Sequence, residues 1–95
     1  MQGESDQANR ATAAVRLHPH ALDRLGERGI TQDEVIATVR GGSQFAARFA
    51  RAGFRRNFAF NAAWRGRMYA VKQVEAYAIE EPDGWLVITV IAKYF

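Results

Sequence analysis

The chain has no cysteine, two histidines, two lysines and two prolines among its 95 residues. Without cysteine there is no disulfide and no thiolate nucleophile, which fits a reducing compartment, and the expectation is a cytoplasmic protein. His18 and His20 sit two apart around Pro19, which matches no metal-ligand spacing, and no cysteine supplements them. No metal or other cofactor is therefore expected. No apolar run approaches the ~20 residues that cross a bilayer, and the N-terminus lacks the apolar core of a secretion signal, so no membrane partner is expected. Ser43 is the only serine after the first dozen residues, which leaves no Ser/His/Asp set. Gly41-Gly42 is not a phosphate loop, because no lysine and serine-bearing helix follow in the required order.

One absence is local. Between Val35 and Val74 there is no acidic residue, while the stretch holds Arg40, Arg48, Arg51, Arg55, Arg56, Arg65, Arg67 and Lys72. All ten acids lie outside it, so a strongly cationic middle sits between net acidic flanks within an overall charge of +3. Phe45, Phe49, Phe54, Phe58, Phe60, Trp64 and Tyr69 are interleaved with these cations. Cations beside ring faces suit a polyanion with stackable bases, which points to nucleic acid. The competing reading is a solvated basic face over an aromatic core. Eleven arginines against two lysines favour bidentate phosphate contacts, although arginine-rich codon usage gives the same ratio.

The length is that of one domain. Residues 1–13 are polar and small and read as a flexible tail, with residues 14–95 as the folded unit. Ala14 to Leu17 reads as a short strand or lead-in. Pro19 suits the first turn of a helix that runs to about Arg28 and stops at Gly29, with Leu22 and Leu25 as its apolar edge. Thr31-Gln32-Asp33-Glu34 is a capping box opening a second helix, whose buried stripe is Val35, Ile36 and Val39 and whose stop is Gly41-Gly42. Phe54 to Asn61 alternates as a strand and Asn61 to Gly66 reads as a turn. Met68 to Glu80 is a long strand whose alternation falters at Lys72-Gln73, suggesting a bulge there. Pro82-Asp83-Gly84 is a hairpin turn, and Trp85 to Ala92, apolar on both parities, reads as a central strand. Helices followed by an antiparallel sheet give an α+β fold.

His20, Arg24 and Arg28 recur every four residues and fall within about 80° of one another on a helix. A histidine can serve as acid or base, and arginines can stabilise charge on a reacting phosphate. The alternative is a solvated stripe paired with Asp23 and Glu27. His18 reads as an N-cap or surface residue. The strands add Arg56, Arg67, Lys72, Thr89, Lys93 and Tyr94. RNA cleavage by the 2′-hydroxyl needs a base, an acid and cations at the phosphate, without metal. Glu80, Glu81 and Asp83 read as a solvated hairpin tip.

The stretch His20-Ala21-Leu22-Asp23-Arg24-Leu25-Gly26-Glu27-Arg28-Gly29-Ile30-Thr31, then Glu34-Val35, resembles a recurring bacterial pattern. Trp85-Leu86-Val87-Ile88-Thr89-Val90 resembles that group's closing strand. The group is an uncharacterised-domain family akin to the BrnT and RelE/ParE toxins and to RNase-type toxin domains. The likeness spans about Arg16 to Tyr94, with Ser43 to Arg67 matching only in being basic. It implies two N-terminal helices packed on a curved antiparallel sheet of about four strands. It also implies metal-independent RNA cleavage, often ribosome-linked, with a small acidic antitoxin or immunity protein as partner. His20, Arg24 and Arg28 match the helix motif and Thr89 the closing-strand threonine.

The leading expectation is thus a metal-independent endoribonuclease of toxin type. His20 would do acid/base work, helped by Arg24 and Arg28, with Lys72, Thr89 and Tyr94 near the reaction. Arg48, Arg51, Arg55, Arg56, Arg65 and Arg67 would hold RNA. The alternatives are a non-catalytic module that binds nucleic acid or an acidic protein, and a ParE-like inhibitor of a protein target.

Overall fold

The structure is a computed structural model and describes residues 10–95. Of the expected tail, residues 1–9 lie outside the described residues. Arg10 to Thr12 are helical, and Arg10 donates to the Gly42 carbonyl at 2.7 Å. Then follow β1 (Ala14–Leu17), α1 (Pro19–Arg28), α2 (Gln32–Gly41), β2 (Ser43–Ala46), β3 (Ala52–Trp64), β4 (Arg67–Glu81) and β5 (Gly84–Tyr94). The fold is α+β. Its sheet has five strands in the order β1-β5-β4-β3-β2, not the expected four, and it is mixed. Ala14–Leu17 pairs parallel with β5 from Ala14↔Gly84 to Leu17↔Val87, and the other pairings are antiparallel. The parallel pairing is possible because α1 and the rest of the chain form the crossover between β1 and β5. It also makes β5 an inner strand, as its two-sided apolar character requires.

Both helices begin and end where their sequences dictate. His18 caps α1, its Nδ1 accepting from the His20 N–H at 3.0 Å, and Pro19 follows. Gly29 ends the helix at φ 68°, and a side chain there would collide with Tyr94 and Trp64. Thr31 and Glu34 form the full reciprocal capping box of α2. Ala21, Ile30, Val35 and Val39 from this half are buried against Phe54, Val74, Ala76, Ala78, Val87 and Val90 of the sheet. Leu25 packs on this core, but Leu22 points outward, because Ala21 takes the inward place expected of it. Among the described residues no helix is long and apolar enough to cross a membrane.

Two sequence expectations within the sheet need correction. The bulges lie at Ala59/Ala62 and at Tyr77/Ala78, not at Lys72-Gln73. Lys72 keeps strand register on the same face as Val74. It broke the apolar alternation only because a lysine occupies a core-facing position. Asn61 to Gly66 is not a turn: the first bulge bends β3, which continues to Trp64, and the hairpin turn is Arg65-Gly66, at φ 51° and 83°.

The helices cover one face of the sheet only. The other face carries Phe45 and Ser43 on β2, Arg55 and Asn57 on β3, Gln73, Glu75 and Tyr77 on β4, and Thr89, Ile91 and Lys93 on β5. This follows from the pairings Ser43↔Arg55↔Glu75↔Ile91, Gly53↔Tyr77↔Thr89 and Asn57↔Gln73↔Lys93.

Candidate nucleic-acid interface

The expected site residues fall into three groups. The first lies under the corner between α1 and α2. Lys72 is only 6% exposed, and its Nζ donates to the Gly29 carbonyl at 2.7 Å and to Glu34 Oε1 at 2.9 Å. That same Glu34 oxygen closes the capping box of α2. The Tyr94 hydroxyl donates to the Arg28 carbonyl at 2.7 Å, and its ring stacks on Trp64 with centroids 5.2 Å apart. Phe60 and Tyr69 pack on the same ring, and Lys72 lies over Phe60. Arg65 covers Trp64 and donates to the Glu27 carbonyl. These cations and rings thus satisfy the carbonyls that the end of α1 leaves without helical partners. Burial, and next the charge of Glu34, push the Tyr94 hydroxyl above its usual range, so it stays a hydrogen-bond donor at neutral pH.

The second group is the helix stripe. His20 is exposed in the first turn of α1, and Arg24 pairs with Glu27 at 2.9 Å. Arg28 is half-buried, and its Nε has no hydrogen-bond partner among the described residues. His20 and Arg28 are eight residues apart, about 12 Å along the axis. The imidazole therefore sits at the opposite end of α1 from Lys72 and Tyr94. Thr89 is separated from all of these by the sheet itself, on the helix-free face.

The third group lies at the β2–β3 edge. β2 pairs only with Ala52 to Arg55, so β3 from Arg56 onward is an open edge strand. An open cleft of about 250 Å³ forms where β2 begins, lined by Gly41, Gly42, Ser43, Arg55, Arg56, Asn57 and Gln73. No carboxylate lines it. Adjacent strand residues point to opposite faces, so Arg55 and Arg56 flank the edge from its two sides. Each guanidinium is anchored at one nitrogen. Arg55 Nε donates to Glu75 Oε2 at 2.6 Å and lies over Phe45, and Arg56 Nη1 donates to the Ala37 carbonyl at 3.2 Å and lies over Phe58. Both keep further N–H donors, in planar forks whose orientation is already fixed. The Asn57 and Gln73 amides bond each other at 2.9 Å beside them.

Glu75 was not singled out by the sequence reading, yet it organises this face. It is 3% exposed and accepts from Arg55 and from the Tyr77 hydroxyl at 3.0 Å. Burial alone would raise its carboxyl. The hydrogen bonds from Arg55 and Tyr77, with the charges of Arg55 and Lys93, outweigh that and hold it below the ordinary carboxylate value. Burial and the bond to Glu75 push the Tyr77 hydroxyl upward. The signal available in the sequence was an acid set between apolar neighbours, Val74-Glu75-Ala76.

Of the remaining expected RNA contacts, Arg48 and Arg51 flank the β2–β3 turn, and Arg67 is exposed after the β3–β4 turn. Among the described residues none of these three forms an ion pair with a carboxylate. A larger cleft, about 540 Å³, lies elsewhere, and Glu80, Glu81 and Asp83 line it with Arg10. Three acids make it unsuited to phosphate. β5 and β2 are three strand spacings apart, about 14 Å, and α1 packs over β5. The structure therefore brings Arg55 and Arg56 together and does not bring His20 to them. Compared with protein-family models, curated proteins and solved structures, the chain matches none.

Proposed function

We propose that this domain binds RNA through the arginine cleft at the open edge of β3 and the adjoining helix-free face of the sheet. The observation that carries the reading is a cleft whose lining holds two arginines, each oriented by one hydrogen bond and a ring face, and no carboxylate. Phosphate oxygens are bound best by such forks, because two parallel N–H bonds add to the charge. Ser43, Asn57 and Gln73 supply polar groups at the rim for sugar and base edges. Lys93, in register beside Gln73, extends the cationic surface across β4.

The test is fluorescence anisotropy of single-stranded RNA against salt. Binding should weaken as salt rises, with a log–log slope of about −0.7 per phosphate contacted. No RNA binding at low salt would end this reading.

A second reading keeps the toxin-type, metal-independent ribonuclease that the resemblance of the His20 to Thr31 segment to BrnT and RelE/ParE-type toxins suggests. It is favoured by one feature of the same face: Tyr77, Glu75, Arg55 and the in-register Thr89 gather donors and a carboxylate beside the proposed phosphate path. On that reading the 2′-oxygen attacks the phosphate that Arg55 holds as its proton passes to the Glu75 carboxylate, and Tyr77 gives its proton to the departing 5′-oxygen. An acidic antitoxin or immunity protein would cover the same arginines. Product formed from RNA in the presence of EDTA, and lost in Tyr77→Phe, supports cleavage. An intact RNA after long incubation leaves binding alone.

A further inference from the structure

The β2–β3 turn, Arg48-Phe49-Ala50-Arg51, has a form that its residues do not favour. Phe49 and Ala50 both have positive φ, 61° and 57°, and the Arg51 N–H closes the turn onto the Arg48 carbonyl at 3.3 Å. Turns with two such residues select Asn, Asp or Gly, because a Cβ is crowded in the left-handed region. The other hairpin turn of this type among the described residues, Arg65-Gly66, does place a glycine. Here a phenylalanine and an alanine are held in that conformation instead. Phe49 is also 82% exposed, whereas Phe54 is wholly buried and Phe45 packs edge-on against Tyr77. The strain at Phe49 is therefore not repaid by burial of its ring. Arg48 and Arg51, neither of which pairs with a carboxylate among the described residues, stand on either side of it.

We infer that Phe49 is a base-stacking platform: an unpaired RNA base lies on its ring while Arg48 and Arg51 take the neighbouring phosphates. This rests on the RNA-binding reading above and extends it. The ring lies beyond the end of the strand that contributes Ser43 to the arginine cleft; Phe49 is six residues past Ser43, at most about 20 Å along an extended chain. A single strand held at the cleft thus reaches the turn within a few nucleotides, the usual scale of such sites. An aromatic face accepts any base, so the contact adds affinity without sequence preference. A ring exposed between two arginines has the charge pattern of a stacked single strand rather than of an apolar protein groove.

The experiment compares wild type with Phe49→Ala, Phe49→Trp and Phe49→Gly, using an eight-nucleotide RNA and the same backbone with abasic positions. Phe49→Ala should weaken binding of the normal RNA about tenfold and leave the abasic RNA unchanged. Phe49→Trp should bind as tightly as wild type and show quenching of the new indole by RNA. Phe49→Gly relaxes the turn, so it should unfold at a temperature no lower than wild type while binding as poorly as Phe49→Ala. That opposite response separates a lost contact from a damaged fold. Unchanged affinity of Phe49→Ala for normal RNA would overturn the stacking role while leaving RNA binding at the arginine cleft intact. An equal loss on normal and abasic RNA would overturn it too, as would quenching of the Phe49→Trp indole by anionic lipid vesicles but not by RNA. Wild type that binds neither RNA overturns the parent reading, and this inference with it.

Discussion

The two faces of the sheet use the same residue types to different ends. Under the helix corner, Lys72, Arg65, Trp64, Phe60 and Tyr94 are cations and rings, and each cation or hydroxyl donates to a backbone carbonyl or to Glu34. At the open edge and helix-free face, Arg55 and Arg56 also lie over rings, but each uses one nitrogen and leaves the rest facing a carboxylate-free cleft. A basic-aromatic alternation therefore does not distinguish a binding surface from an internal staple. What distinguishes them is how many donors remain: the corner groups end on carbonyls and Glu34, whereas Arg55 and Arg56 each commit one nitrogen and keep the others.

The sharpest way to break this comparison is at Lys72. Lys72→Met keeps the apolar stem but leaves the Glu34 carboxylate without its cation and the Gly29 carbonyl without its shorter hydrogen bond. Removing one partner of a buried pair should cost about 3 kcal/mol, read as a lower urea midpoint at unchanged slope. RNA affinity, measured where the variant is folded, should stay near wild type. A variant as stable as wild type would show that the corner does not depend on this lysine. The double substitution Arg55→Ala/Arg56→Ala should do the reverse for binding. Affinity for single-stranded RNA should drop at least tenfold, and the salt dependence should shallow by the equivalent of about two phosphate contacts. An unchanged salt slope would place the contact elsewhere.

Smaller effects sharpen the same contrast. Tyr94→Phe removes the hydroxyl that donates to the Arg28 carbonyl and, more weakly, to that of Gly29, worth about 1 kcal/mol, and should lower the thermal midpoint by several degrees. No change in midpoint would make that bond incidental. For Glu75 the folded carboxyl is held below its ordinary value of 4.5, so its contribution to stability is complete above that value. It is lost as pH falls through the lowered folded value, where protonation releases Arg55. Stability should decline as pH falls below about 4.5, because unfolding then takes up a proton at Glu75, and Glu75→Gln should flatten the decline. A Glu75→Gln profile that matches wild type would remove the carboxylate from this account. The smallest effect is expected at His20, whose side chain is exposed. His20→Ala should change stability by less than about 0.5 kcal/mol and RNA affinity by less than about twofold. A large loss of binding or cleavage there would bring α1 back into the site.

Much of the fold was legible because its signals are local. Pro19, Gly29, the Thr31-Glu34 box and Pro82-Asp83-Gly84 each set a boundary through the geometry of one or two residues. The parallel β1–β5 pairing was not legible, since a four-residue strand takes its partner from a segment some seventy residues away. The bulge was misplaced at Lys72 because alternation reports polarity, and this lysine faces the core with a carboxylate that lies 38 residues earlier. The cationic middle was visible as composition. Its division into Arg55 and Arg56 at a cleft and Lys72 and Arg65 inside a staple depends on strand parity and on which carbonyls α1 leaves open. Glu75 escaped notice because an acid flanked by Val74 and Ala76 carries no spacing pattern that marks it.

The most direct measurement is a titration of isotope-labelled protein with single-stranded RNA, following backbone amides and arginine side-chain N–H signals. The account predicts the largest shifts at Ser43, Arg55, Arg56, Asn57 and Gln73, with α1 from His20 to Arg24 unmoved. Shifts centred on His20 and Arg24, with the Arg55 and Arg56 signals unchanged, would contradict it.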